Sequence, residues 1–453
     1  MKIHFIAIGG SVMHNLAIAL HKLGHEITGS DDEIFEPAKS QLSKYSILPK
    51  KEGWDAENIS DDIDLVILGM HAKADNIELI RAQKKGITIM SFPEYIYEHS
   101  KDKLRVVIGG SHGKTSITSM IMHVLNYHSI NFDYMVGARI EGFDTMVKLS
   151  NDATIIILEG DEYPASALNK VPKFHLYHPN IAVLSGIAWD HVNVFPTFEN
   201  YCKQFAMFLD MISNNGSLFY YEGDAILKNL VKNKHSKCKT LAYTEHPYSQ
   251  SGNDISLKVE DKNIPVQIFG KHNLQNLQAA KLVCNKVGIT DSQFYEAIQT
   301  FKGAAKRLEL LKENEQTAIY KDFAHSPSKV KATVEAVKSK YPNKKLIACF
   351  ELHTYSSLTQ EFIVHYKDTL NDADEAIVYY DQHALNLKKL PPLIREEVQK
   401  AFNKKNLEVI NDADLLKQKL YALQWENAVL LLMSSGNFGG LDIDKLVTFA
   451  FNK

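Results

Sequence analysis

The sequence predicts an α/β protein of three domains, each built around a mostly parallel sheet. Short β-branched runs alternate with helical stretches over the first hundred residues and again beyond residue 307, the rhythm of βαβ units. Between these regions an apolar strand runs into the glycine-rich turn GGSHGKTS at 109–116 and on into a helix. The chain has 453 residues, which at about 150 per domain suits three domains.

The elements follow in order. Residues 3–8 read as a strand, 12–23 as a helix, and 26–29 and 64–68 as further strands. A helix over 76–85 leads to a strand over 87–90. Charged, serine-containing sequence at 99–103 then separates this unit from the next. The second unit has strand, loop and helix over 106–125, strands over 154–158 and 181–184, and helices over 198–212 and 272–287. Its lysine-rich stretch 228–239 reads as a solvated face. The third has strands over 317–320, 346–350, 376–380 and 428–433, with a helix over 328–340. The expected domains are 1–103, 104–305 and 306–453.

Composition narrows the function. Hydrophobic residues at 45% and charged residues at 23% exclude a disordered chain. A formal charge of −3 argues against a nucleic-acid partner, which calls for a basic excess. Apolar runs such as 428–433 fall far short of the ~20 residues of a membrane span. MKIHFIAIGG reads as a strand entering a turn, with no cleavage site after it. Cys202, Cys238, Cys284 and Cys349 are too dispersed for a metal knuckle or a disulfide framework, so a reducing cytoplasm is expected.

The turn at 109–116 carries the clearest chemistry. Backbone amides of Gly110, Ser111, His112 and Gly113 can wrap phosphate oxygens, and the helix start adds a favourable dipole. Lys114 can neutralise β/γ-phosphate charge, and the Thr115 hydroxyl can ligate Mg²⁺. As a loop residue, Lys114 is expected to contribute little to packing. The strict P-loop spacing fails, because Ile108 stands where a glycine belongs. The alternative is a tight turn with a solvent-exposed lysine.

A second turn holds Gly9, Gly10 and Ser11, with Asp31 about 20 residues on, the offset of a ribose-binding acid. The dinucleotide fingerprint would need glycine at Ser11 and His14, so a phosphate-bearing ligand fits better than a nicotinamide. The strand 154–158 ends in EGDEY, bringing carboxylates to where a Mg²⁺ ligand belongs; Asp161 and Glu162 would equally suit an acidic helix start. Another strand leads into WDHVNVF, with Asp190 and His191 past its end. Asn273 in GKHNLQN can bond a base or cap a helix. Asp322 and His325 lie in KDFAHSP, and Arg307 sits at the expected domain join, suited to reaching a phosphate on closure.

Taken in order, IAIGGSVM, GGSHGKTS, EGDEY, WDHVNVF, GKHNLQN, AAKRLEL, KDFAHSP and MSSGNFGG resemble the Mur ligase family, the ATP-dependent amide-forming enzymes of peptidoglycan synthesis. The resemblance covers essentially the whole chain. It implies a Rossmann-like N-terminal domain for the uridine nucleotide, a central P-loop ATPase-like domain for ATP and Mg²⁺, and a Rossmann-like C-terminal domain for the amine. It puts Gly9, Gly10, Ser11 and Asp31 on UDP, and Gly110 through Ser116 with Asn273, Arg307 and Asp322 on ATP. Thr115, Glu159 and His191 would serve the metal, and Lys114, Glu159 and His191 catalysis. His353, Asn437 and Gly439 would face the amine. EGDEY, KFHLYHPN and MSSGNFGG look most like the branch that joins L-alanyl-γ-D-glutamyl-meso-diaminopimelate to UDP-N-acetylmuramic acid. The implied enzyme is a cytoplasmic monomer with no nucleic-acid or membrane partner. The alternatives are a member adding L-alanine, a non-catalytic nucleotide-binding protein and a nicotinamide-dependent oxidoreductase. Four departures bear on these: Ala188 for a glutamate, Lys321 for an acidic residue, Ser326 for a histidine, and FELHTYSS at 350–357 without an arginine.

Overall fold

The computed structural model describes every residue except 167, 190, 191, 193, 253, 305, 306 and 453. The chain forms two compact units, Met1–Ile187 with Glu199–Thr244 and Ala279–Ala297, and Ala188–Phe198 with Glu245–Gln278 and Ile298–Lys453.

The first unit holds two sheets. One orders its strands Glu26–Ser30, Lys2–Ile6, Leu65–Leu68, Thr88–Ser91, all parallel. Lys2–Ile6 lies inside it, as its apolar residues require, and feeds the helix Ser11–Lys22 through the first glycine turn. The other sheet has seven strands, with Leu104–Gly109 between Ile181–Leu184 and Ile155–Glu159. All its pairings are parallel except that of Asp133–Met135 with the edge strand Val147–Lys148. Central parallel strands are covered on both faces and therefore read as continuous apolar runs. Ile181–Leu184 is buried at all four positions.

The second unit carries a six-stranded sheet in the order Glu309–Glu313, Thr317–Asp322, Ala428–Met433, Lys345–Leu352, Glu375–Tyr380, Glu408–Ile410. Only the edge strand Glu309–Glu313 runs antiparallel. One face packs Ile319, Ile347, Ile377, Leu430 and Leu432 against Leu416, Leu420 and Leu446 of helices. A three-stranded antiparallel sheet, Tyr248–Ser251, Asp254–Val259 and Lys262–Val266, completes the unit. No helix among the described residues is long and apolar enough to cross a membrane.

The α/β class with mostly parallel sheets is as expected, and several elements differ. No element is expected over 92–98, and residues 92–99 form the helix Phe92–His99, opened by a capping box between Ser91 and Glu94. The first strand stops at Ile6, where Ala7 turns to φ +69°. No helix starts at Asp161–Glu162, so the acidic helix-start reading is set aside.

Candidate functional site

The phosphate loop sits at the C-terminal end of a central strand, where open parallel sheets bind ligands. Gly110 has φ +122°, and a Cβ there would collide with the side chain of Ser185 and come within 2.9 Å of its backbone nitrogen. Only glycine fits. The Ser111 amide donates to the Gly186 carbonyl at 3.0 Å, and the Ser185 hydroxyl donates to the His112 carbonyl. The neighbouring strand end thus shapes the loop. Gly113, left-handed at φ +78°, starts the helix Lys114–Tyr127.

Lys114 does not point free into solvent. Its Nζ donates to the Gly110 carbonyl at 2.8 Å and to Glu162 Oε2 at 2.7 Å. Burial opposes its charge, but Glu162, Asp161 and Glu159 outweigh burial and hold the ammonium above the ordinary lysine pKa. Glu162 is 1% exposed. The expectation that Lys114 adds little to the fold is therefore corrected: removing it would take the ion-pair partner from a buried carboxylate.

Thr115 Oγ1 donates to Glu159 Oε1 at 2.9 Å, and the Gly137 amide donates to Glu159 Oε2 at 3.0 Å. A hydroxyl beside a carboxylate at a phosphate loop fits Mg²⁺, which takes one or two carboxylates and completes its shell with water and substrate phosphate. Among the described residues no group of three or more His, Cys, Asp or Glu side chains is arranged for a metal. His191 lies outside the described residues. Ser116 is buried in the first turn of the helix.

The N-terminal turn is built differently. The Gly9 amide donates to Asp31 Oδ2 at 2.7 Å, and a Cβ on Gly9 would meet that oxygen at 2.9 Å. Gly10 caps the helix that Ser11 opens, and the Ser11 hydroxyl reaches the Met146 sulfur at 3.5 Å. Burial pushes the Asp31 carboxyl up to about 7; Asp32 beside it adds to the effect and the Gly9 amide opposes it.

The remaining expected residues lie in the second unit. Asn273 Nδ2 donates to the Phe269 carbonyl at 3.0 Å, and the Arg307 guanidinium lies 4.7 Å from the Phe323 ring centroid. Asp322 accepts from Thr333 Oγ1 at 2.7 Å. His353 Nδ1 is 3.7 Å from Glu351 Oε1, and its side chain is 38% exposed. The loop after Ala428–Met433 wraps on Glu351, which accepts from the Ser434 hydroxyl and from the Phe438 amide at 2.9 Å. The Gly436 amide donates to Ser434 Oγ at 2.6 Å and the Gly440 amide to Asn437 Oδ1 at 3.2 Å. Gly439, at φ +65°, packs against Tyr379.

The structure thus gathers Lys114, Thr115 and Glu159 in one place and Gly9, Gly10, Ser11 and Asp31 in another. Three organising residues escaped sequence reasoning. Glu162 lies in EGDEY, where the sequence offers a carboxylate past a strand end or a helix start but no lysine partner. Glu351 lies in FELHTYSS, whose sequence signal is its missing arginine. Tyr201, whose hydroxyl donates to Glu162 Oε1 at 2.9 Å, had no signal at all.

Comparison with known proteins finds relatives along the chain. Three family models match: Mur ligase family, catalytic domain, over residues 2–103; Mur ligase middle domain over 108–284; and Mur ligase, glutamate ligase domain, over 306–436. A UDP-N-acetylmuramate–L-alanine ligase of Brachyspira hyodysenteriae is 28% identical, covering 96% of this chain and 95% of its own length. Among solved structures, a murein peptide ligase of Psychrobacter arcticus aligns with a TM-score of 0.68 at 21% identity, covering 100% of this chain and 99% of that one. A UDP-N-acetylmuramate–alanine ligase of Thermotoga maritima aligns at 0.70 and 21%, with the same coverage. With the three models following one another from residue 2 to residue 436, the chain belongs to the Mur ligase family, the ATP- and Mg²⁺-dependent ligases of peptidoglycan synthesis that form a carbon–nitrogen bond.

Proposed function

We propose that the chain joins L-alanyl-γ-D-glutamyl-meso-diaminopimelate to the lactyl carboxylate of UDP-N-acetylmuramic acid, acting in the cytoplasm as a monomer. A carboxylate is a poor electrophile. Its oxygen attacks the γ-phosphorus of ATP, the bond to ADP breaks, and an acyl phosphate results. The peptide's α-amine then attacks the acyl carbon, phosphate leaves, and the nitrogen gives up a proton. Lys114 meets charge on the transferring phosphoryl group, so its contribution is electrostatic and positional. Thr115 and Glu159, with His191, would hold Mg²⁺, which neutralises phosphate charge when bound. Gly9 and Asp31 would receive the uridine nucleotide, with Asn273, Arg307 and Asp322 serving ATP from the C-terminal side.

The observation that carries the tripeptide is the run of three adjacent strand ends in the second unit. Thr317–Asp322, Ala428–Met433 and Lys345–Leu352 are neighbours and end in the loops bearing His325, Asn437 with Gly439, and His353. Strands about 4.8 Å apart give the three ends a span of roughly 10 Å. An extended tripeptide, at about 3.3–3.6 Å per residue, reaches a similar distance. A single small amino acid needs no such width. The likeness of MSSGNFGG to the tripeptide-joining branch points the same way.

Free L-alanine is the second reading. It is favoured by the L-alanine ligase named above, and by the amides of Gly436, Phe438 and Gly440, which are already committed within the protein instead of awaiting a long substrate. A competition between tripeptide and L-alanine at equal concentration, with ATP and UDP-N-acetylmuramic acid, separates the two by the mass of the UDP-linked product. The tripeptide product should dominate. Faster incorporation of L-alanine would overturn the reading.

A further inference from the structure

The side chains behind the phosphate loop form a chain of contacts that the ligase reaction does not by itself require. Tyr201, on the helix Phe198–Asp210, is fully buried. Its hydroxyl donates to Glu162 Oε1 at 2.9 Å and lies 3.0 Å from Ser111 Oγ. A phenol has one proton, and here it goes to the carboxylate, so Ser111 is the donor to Tyr201. The other oxygen of Glu162 takes Lys114. Nearby acids have different partners: Glu159 is held by Thr115 and Gly137, and Asp161 pairs with Lys173 at 2.8 Å.

The lysine meant for phosphate is thus engaged by a protein carboxylate at ion-pair distance, in a place where water screens little. A triphosphate entering this loop would meet that carboxylate's negative charge and would need its cation. If Lys114 moves to phosphate, Glu162 keeps the Tyr201 hydroxyl, so the carboxylate is not left without a hydrogen bond.

We propose that Glu162 is the resident counter-ion of Lys114, held in place by Tyr201, and that nucleotide binds by taking the lysine from it. This rests on the reading of GGSHGKTS as the ATP phosphate loop and adds to it a built-in competitor that sets nucleotide affinity. Tyr201 is a positioning residue: it acts through Glu162 and Ser111 without touching phosphate.

The test is calorimetric titration of a non-hydrolysable ATP analogue with Mg²⁺ into the full chain, without the other substrates. Glu162→Gln, which keeps an acceptor for Tyr201 but removes the charge, should bind the analogue at least about fivefold more tightly than the wild type. Tyr201→Phe should weaken binding by a smaller factor, because Glu162 then loses the hydroxyl that it keeps when the lysine leaves. The double variant should bind as Glu162→Gln alone does, because the tyrosine acts through the carboxylate. Equal or weaker binding by Glu162→Gln would overturn the proposal, as would an independent increment from Tyr201→Phe in the double variant. If Glu162→Gln shows no cooperative melting transition, Glu162→Asp, too short to hold both partners, carries the same expectation. A wild type that binds no analogue would refute the loop reading and this proposal together; normal binding with unshifted variants would refute this proposal alone.

Discussion

Two glycine turns in the first unit share one architecture and carry opposite chemistry. In each, an interior parallel strand ends, glycines turn the chain, and a helix begins. At Gly9 the turn amide is taken by a buried carboxylate, Asp31, whose burial keeps it prone to protonation. At Gly110 the turn carries a lysine whose positive charge is reinforced by Glu162. The backbone in both supplies helix-start amides, the generic anion-binding element. The side chain placed against those amides decides the ligand. A lysine and a metal-ready hydroxyl suit a transferring triphosphate; an acid suits hydroxyl-rich ribose.

Breaking the cationic turn should have the largest effect. Lys114→Ala should lower turnover by several orders of magnitude, about 3–5 kcal/mol of transition-state stabilisation by analogy with other preorganised charges. It should also lower the melting temperature, because buried Glu162 loses the cation that it is paired with. Adding Glu162→Gln should restore much of that stability and none of the turnover. Thermal melts and steady-state kinetics on the same preparations read both outcomes; full activity in folded Lys114→Ala would end the assignment of the loop.

Glu159→Gln comes next. It keeps an acceptor oxygen for the Gly137 amide, with its NH2 turned to the Thr115 hydroxyl, but removes a negative charge from the hard-cation site, so half-saturation by Mg²⁺ should rise roughly 10–100-fold. An unchanged Mg²⁺ titration would put the metal elsewhere.

At the acidic turn the expected effect is on pH dependence. The Asp31 carboxyl holds its proton to about 7 in the folded chain, against an ordinary value of 3.8. Between those values the folded state binds more proton than the unfolded state, so this group makes stability fall as pH rises from about 4 to about 7. Asp31→Asn should remove that slope, a difference of roughly 1–3 kcal/mol across the window by denaturant titration. Parallel wild-type and variant profiles would show that Asp31 is ionised throughout.

A smaller change is expected in the second unit. Glu351→Gln weakens the anchoring of the loop 434–440 and should raise KM for the amine several-fold while leaving KM for ATP unchanged, since charge-assisted bonds are the stronger class. A shift in the ATP value instead would place the loop's influence elsewhere.

What could be read from the sequence was what is local. GGSHGKTS declares strand, turn and helix within a dozen residues, and Ala428–Met433 declares a central strand because all six residues are apolar, and all six are buried. The polar strands Tyr248–Ser251, Asp254–Val259 and Lys262–Val266 lack an apolar run and went unseen. The helix Phe92–His99 was signalled by Ser91 and Glu94 three apart before an aromatic run, yet its charged end was read as a separator. The partnerships that organise the sites are long-range: Tyr201 meets Glu162 across 39 residues, and Ser434 meets Glu351 across 83. Nothing in a local pattern encodes such a pairing; the stacking of strand ends creates it.

The contrast between the two turns is tested most directly by measuring ATP-analogue and UDP-N-acetylmuramic acid binding calorimetrically to Lys114→Ala and to Asp31→Asn. The account predicts crossed losses, with the lysine variant weakened for the ATP analogue alone and the aspartate variant for the UDP-sugar alone. Loss of both ligands in one variant, or the reverse assignment, would contradict it.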